Sequence, residues 1–290
     1  MRSLTEILEA CTSSGESFAR RALALSAMES GCTEDSIRKG MISRLKDMEL
    51  SVQKALSGSW RGVLVPQEAH LFKEYGSSGG AFSSPFVLTA ARISLAVSTY
   101  NAAMGRIVAA PTAGSCGILP GLLFSYREHF GGDDETLLSG LIAAAAVGEV
   151  TAARATLAGA SGGCQAECGA AMAMGAAALV QMRKGSPEAL GQAVALAYKS
   201  ILGLVCDPVG GLVESPCIKR NGMLVSLGAL AADMALAGVK SIIPPDEVID
   251  AIGQVGRALP ESLRETAGGG LAVTPTARKL VKDLLEEQPE

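Results

Sequence analysis

ETLLSGLIAAAAVGEVTAARATLAG, residues 135–159, is too long for a strand, lacks period-two alternation, and has little polar surface. A helix that is apolar nearly all round is a helix that expects to be buried. Two further stretches have the same character, GAAMAMGAAALV at 169–180 and GMLVSLGALAADMALAGV at 222–239. A membrane reading is disfavoured, because Glu149 and Arg154 interrupt the first stretch and Asp233 the last. Each such charge costs about 2.5–3.5 kcal/mol at a bilayer centre. The middle stretch falls short of the roughly 20 residues that a span needs. Buried helices of a globular, all-α protein are therefore expected.

Helical punctuation extends this reading outward. Thr33, Glu34 and Asp35 open a helix predicted over 33–57, with Ile37, Met41, Leu45 and Met48 on one stripe and charge on the other face. A Gly/Ser loop at 76–85 precedes a helical run from Phe86 to about Met104. Ser186–Pro187 and Thr274–Pro275 are start signals, Gly203 is a stop, and Gly238 ends a helix begun near Arg220. Eight to ten helices and almost no sheet are predicted in one unit spanning 1–290. Residues 1–84 would form outer helices and a loop, 85–240 the core with the site, and 241–290 the C-terminal helices.

Composition narrows the function classes. Among 290 residues, 48% are apolar, 19% charged and 4% aromatic, with 34 Gly and 46 Ala. That excludes a disordered chain, and seven Cys are too sparse for a disulfide miniprotein. A net charge of -4 argues against a nucleic-acid binder. The start MRSLTEILEACTSSGES places acidic residues where a secretory leader would be apolar. With an odd number of thiols, the expected compartment is the reducing cytoplasm.

Three segments break the Ala-rich pattern with Gly, Pro, Cys and charge together: APTAGSCGILPG (110–121), GASGGCQAECGAA (159–171) and CDPVGGLVESPCIKRN (206–221). Each adjoins a predicted helix end, where free backbone N–H groups gather. They hold Cys116, Cys164, Cys168, Cys206 and Cys217, whereas Cys11 and Cys32 lie in ordinary amphipathic context and read as structural. Spacing alone leaves an iron–sulfur cluster, zinc and structural cysteine all open, since no ferredoxin or zinc-ribbon CxxC occurs. Other chemistries are poorly served. There are two histidines, His70 and His129, no GxSxG elbow, no Walker lysine motif, and no strand ahead of GASGGCQ to make it a dinucleotide fingerprint.

Read together and in this order, NAAMGRIVAAPTAGSCGILPG, GGCQAECGAA and CDPVGGLVESPCIKRN resemble the α chain of bacterial iron–sulfur L-serine dehydratase. The resemblance runs through most of the chain and is strongest from Tyr100 to Asn221. It implies an all-helical catalytic domain and a [4Fe–4S] cluster held by Cys164, Cys206 and Cys217. Cys168 becomes a near neighbour, and Cys116 part of a substrate loop formed by Thr112, Ala113, Gly114, Ser115, Cys116 and Gly117. Some single-chain relatives end in a Cys able to cap the fourth iron. This sequence ends EEQPE, so that self-inhibition is not expected. It also lacks the Ser-Ser-Ser-His-Thr motif of the single-chain form, which implies a β subunit that supplies it. A hetero-oligomer follows, with a homodimer of this chain alone as the other arrangement.

The implied activity is a lyase that converts L-serine to pyruvate and ammonia, with an open iron acting as Lewis acid on the hydroxyl. Catalytic candidates are Lys219, Asn101 and His70, although a β-chain histidine is the better base. Arg220 joins Lys219 as a charge-balancing candidate, and Arg106, Glu167 and Asn221 are candidates for orientation. A related lyase such as an L-cysteine desulfidase, and a non-enzymatic helical protein with structural or zinc-bound cysteine, are the alternatives.

Overall fold

Ala170–Met182 carries no charged side chain, and twelve of its thirteen residues are buried. In the computed structural model, which describes residues 1–286, this helix is the axis around which the others pack. The α-helices in chain order are α1 (Leu4–Ser14), α2 (Phe18–Ser30), α3 (Glu34–Ser57), α4 (Ala69–Ser77), α5 (Pro85–Ala102), α6 (Ile118–Phe130) and α7 (Asp134–Arg154). They continue as α8 (Gly159–Gly162), α9 (Ala170–Met182), α10 (Pro187–Lys199), α11 (Cys217–Leu236), α12 (Pro245–Ala258) and α13 (Pro275–Glu286). Helices α6, α7, α10 and α11 surround α9. No strand forms among the described residues, only isolated bridges pairing Arg61 with Pro66 and Cys206 with Arg264. The all-α expectation is met.

The thirteen helical segments exceed the eight to ten expected, because the polar run at the N-terminus itself folds into helices. Ser3 accepts the Glu6 N–H to start α1, Gly15 (φ 73°) closes it, and Ser17 caps α2 in turn. Helix α7 is the one helix among the described residues long and apolar enough to cross a membrane, and 67% of its apolar window is buried against neighbours. The α3 stripe is buried only from Leu45 onward, while Ile37 and Met41 are half-buried. Gly203 does not terminate α10, which ends at Lys199; it lies in the following turn and donates its N–H to Gln165 Oε1 at 2.9 Å. Residues 287–290, which include most of the EEQPE end, lie outside the described residues.

Small residues set the helix spacing around the site. Gly117 and Gly121, four apart and hence on one face of α6, lie against α5. A Cβ at Gly117 would sit 2.4 Å from the Ser94 carbonyl oxygen, and one at Gly121 2.7 Å from that of Ala90. The two axes therefore meet at backbone distance, which holds the 112–117 loop at the C-terminal end of α5.

Glu214 anchors the periphery to the centre. Its carboxylate is 3% exposed and accepts the N–H groups of Val63, Leu64 and Val65 at 2.8–3.0 Å, tying the 61–66 turn to the segment between Cys206 and Cys217. Glu214→Gln replaces one acceptor oxygen by a donor facing these N–H groups. The expected cost is about 1.5–3 kcal/mol, read as a lower urea midpoint together with faster proteolysis at 61–66. An unchanged midpoint would show that the clasp is dispensable.

Candidate functional site

The three irregular segments meet where the N-terminal ends of α6, α9 and α11 converge. Cys217 is the first residue of α11, Gly117 precedes α6, and Cys164 leads through a π-helical turn, Gln165–Gly169, into α9. GASGGCQAECG is thus not a plain Gly-rich turn. It is the short helix α8, a break at Gly163 and the π turn. The break needs glycine, because φ there is 75° and a Cβ would lie 2.8 Å from the Leu204 carbonyl oxygen. The partial positive ends of three helices stabilise anions brought between them.

Backbone contacts lock the cysteine segments to one another. Gln165 is fully buried and spans from the Gly203 N–H to the Ile252 carbonyl, while its own N–H reaches Leu204 O at 3.1 Å. Cys206 pairs with 263–265 in the manner of a strand: its N–H donates to Leu263 O at 2.9 Å, and its carbonyl accepts from Glu265 N at 2.8 Å. Asp207, 3% exposed, accepts the Leu271 N–H and pairs with Arg220 at 2.8 Å.

The four thiols of this region act on one another electrostatically. The Cys168 thiol donates to Cys164, and Arg220 lies beside it; together they hold Cys164 below the ordinary thiol range despite its burial. Cys168 is pushed well up in return. Burial raises Cys206, as do Cys164 and the carboxylates of Glu167 and Glu265. Burial, with Cys164 next, pushes Cys217 up to about 12. Cys164 is thus the thiol of this group held toward its thiolate form, and Arg220 is its cation. Cys116 stands apart, buried beneath the loop against Ser98 with its thiol pushed up to about 12 by burial. Cys11 is buried in α1 and Cys32 is exposed.

Glu167 joins the thiols to the 112–117 loop. Its Oε2 lies 3.8 Å from Cys206 Sγ, its carboxylate accepts from the Thr112 hydroxyl, and a Cβ on Gly114 would sit 3.5 Å from its Oε1. Burial raises its pKa, the Thr112 hydrogen bond opposes that, and Glu265 adds to it. Glu167, Cys206 and Glu265 form a group of metal-competent atoms within 4.8 Å of one another, the one such group among the described residues. Cys164, Cys206 and Cys217 share a neighbourhood without closing to that spacing. A single tetrahedral ion with metal–sulfur bonds of about 2.3 Å would need them closer, whereas a cluster takes one thiolate per iron. Three thiolates in one neighbourhood are a donor set compatible with a cluster.

In the loop, most N–H groups are already committed. Thr112 N donates to Ser115 Oγ, Ser115 N to Thr112 O, Cys116 N to Ala113 O, and Gly117 N to Asn221 Oδ1 at 3.1 Å. Ala113 and Gly114 keep N–H groups without a protein acceptor among the described residues. Asn101 touches the loop through Nδ2 to Ala113 O at 3.4 Å. The remaining two catalytic candidates do not join this arrangement. Lys219 forms an ion pair with Glu68 at the entry to α4, and burial lowers its pKa. His70 is exposed beside Trp60, Arg61 and Lys73. The physical reason is helical phase: Lys219 and Arg220, one residue apart on α11, point about 100° from each other, and only Arg220 turns to the thiols. Arg106 also lies elsewhere, paired with Asp47 at 2.9 Å. Sequence reasoning missed Glu265 and Asp207. The Gly triplet at 268–270, behind Arg264–Glu265, was the available signal for the first, and the position next to Cys206 for the second.

Comparison with known proteins adds an independent line. The family model described as "Serine dehydratase alpha chain" matches residues 3–272. The chain is 48% identical over 253 residues to the Bacillus subtilis protein named "Probable L-serine dehydratase, alpha chain", covering 87% of this chain and 84% of that one. It is 41% identical over 284 residues to the Peptoniphilus asaccharolyticus "L-serine dehydratase, alpha chain", with 97% of each covered. A longer Streptomyces coelicolor protein, "L-serine dehydratase", is 37% identical over 248 residues, which are 83% of this chain and 54% of that protein.

Proposed function

The chain belongs to the serine dehydratase alpha-chain family, and from that premise we propose that it is the cluster-bearing subunit of a cytoplasmic lyase converting L-serine to pyruvate and ammonia. The observation that carries the reading is the convergence of Cys164, Cys206 and Cys217 with the 112–117 loop around Glu167. The residues fit a [4Fe–4S] cluster held by those three cysteines. When bound, such a cluster supplies a Lewis acid for the serine hydroxyl.

The chain's own residues perform the rest of the binding. Ala113 and Gly114 offer N–H donors to the substrate carboxylate, next to the N-terminal end of α6. Asn101 steadies that loop from α5 through the Ala113 carbonyl. Arg220 compensates thiolate charge at Cys164. Removal of the α-proton and departure of the hydroxyl leave aminoacrylate, which tautomerises to an imine and hydrolyses to pyruvate and ammonia. No histidine of this chain lies among the thiols and the loop, and the base is assigned to a β subunit carrying the Ser-Ser-Ser-His-Thr motif. The name of the Peptoniphilus relative, an alpha chain, supports such a partner.

The test is anaerobic reconstitution with iron and sulfide, then assay with the β subunit and L-serine. Brown protein absorbing near about 400 nm and forming pyruvate is expected. Protein without iron, with all seven thiols titrating free, refutes the reading. A pH dependence follows as well. Cys206 and Cys217 are raised and must shed protons to bind iron, so assembly releases protons and goes further as pH rises. Reconstitution at about pH 8 should yield more cluster per chain than at about pH 6.5; equal yields would contradict the thiol assignment.

A further inference from the structure

Asn221 is fully buried in the first turns of α11 and uses its whole amide. Its Oδ1 accepts the Gly117 N–H at 3.1 Å. Its Nδ2 donates to the Gly114 carbonyl at 2.7 Å and the Cys217 carbonyl at 2.9 Å, with Cys168 Sγ at 3.6 Å. One side chain therefore grips the 112–117 loop at two points three residues apart and ties both to the backbone of a cysteine in the thiol group.

We infer that Asn221 is a positioning residue that sets the register of the 112–117 loop against the Cys217 end of the site, and so governs the affinity for the substrate carboxylate without touching it. By taking Gly117 N–H, Asn221 removes one donor from the carboxylate's reach. By holding Gly114 O, it fixes the peptide that follows the two free donors, Ala113 N and Gly114 N. A buried amide of this kind costs stability unless every polar atom is paired, and here the partners belong to two functional segments. Of the main-chain groups it holds, the Gly117 N–H has no other side-chain partner bonded to this loop, and the Gly114 carbonyl has only the longer contact from the Cys168 thiol at 3.6 Å; Ser115 and Thr112 pair with each other, and Asn101 reaches only Ala113 O. The inference rests on the serine-lyase reading and extends it to a residue outside the reacting groups.

The test uses the complete α–β enzyme, reconstituted anaerobically, with Asn221→Ala and Asn221→Ser. If the loop loses its register, uniform binding of the carboxylate weakens: KM for L-serine rises about tenfold or more in Asn221→Ala while kcat changes less than about threefold. Serine, whose hydroxyl still offers one donor and one acceptor, recovers part of that loss. Iron per chain, the absorbance near about 400 nm and the thermal midpoint are recorded alongside. Retained iron with a raised KM supports the inference. An unchanged KM in folded, iron-loaded variants overturns it, and so does loss of iron at full thermal stability, which would make Asn221 a support for the cysteines instead. If Asn221→Ala fails to fold, the KM of Asn221→Ser decides in the same way. A wild-type enzyme that takes up iron but does not turn over serine would refute the function proposed above, an outcome separate from any of these.

Discussion

Replacing Cys164, Cys206 or Cys217 singly by serine is expected to abolish pyruvate formation and to remove most of the iron, whereas Cys11→Ser and Cys32→Ser change neither. Cys164 lies on one segment and Cys206 and Cys217 at separate places on another, held together by Gln165, the 263–265 pairing and Asn221, so no remaining cysteine can slide into a vacated place. Cys168 is the nearest substitute, but its thiol is engaged with Cys164, the Gly114 carbonyl and Asn221. Loss of a partner behind a metal ligand typically costs about 10–100-fold, and loss of the ligand itself exceeds that. Iron analysis with pyruvate assay on the five variants is the measurement. Equal iron loss in Cys11→Ser would mean that the iron sits elsewhere, because Cys11 is buried in α1, among neighbours that include none of these thiols.

Arg220→Leu is expected to be the most destabilising change at the site. Arg220 Nη2 meets Asp207 Oδ1 at 2.8 Å, Nη1 donates to Val205 O at 2.9 Å, and Asp207 is 3% exposed. Removing the guanidinium strands a buried carboxylate, a change that costs about 3–5 kcal/mol. Urea denaturation of the cluster-free chain reads this directly. The double variant Asp207→Asn/Arg220→Leu should regain most of the loss, since an amide oxygen still accepts the Leu271 N–H without a charge to compensate. If both single and double variants lose the same amount, the contribution of Arg220 is packing and not charge. In the loaded chain, Arg220→Leu should also weaken iron retention, because Cys164 loses the cation that favours its thiolate.

The outcome at individual residues separates what was readable in advance from what was not. Thr33 and Ser186 each accept a backbone N–H at a helix start, as the start signals read at these two residues foretold. The apolar character of 169–180 foretold a buried helix, and the helix Ala170–Met182 proved to be the axis of the bundle. The Gly-rich segments announced themselves by composition. By contrast, Lys219 and Arg220 are neighbours with equal charge in the sequence, yet one pairs with Glu68 at the surface and the other lies beside Cys164. Glu265 lies about a hundred residues from Glu167 and is brought to it by the pairing of 263–265 with Cys206.

From the sequence alone came the helical class, the burial of the Ala-rich helices and the segments that carry chemistry, because periodicity, capping and glycine content are local properties of the chain. Only the tertiary structure decided which side chains face the thiols, which loop N–H groups stay free and what holds the cysteines in register. Those depend on helix phase and on contacts between residues far apart in the chain, and neither is encoded within a single stretch of it.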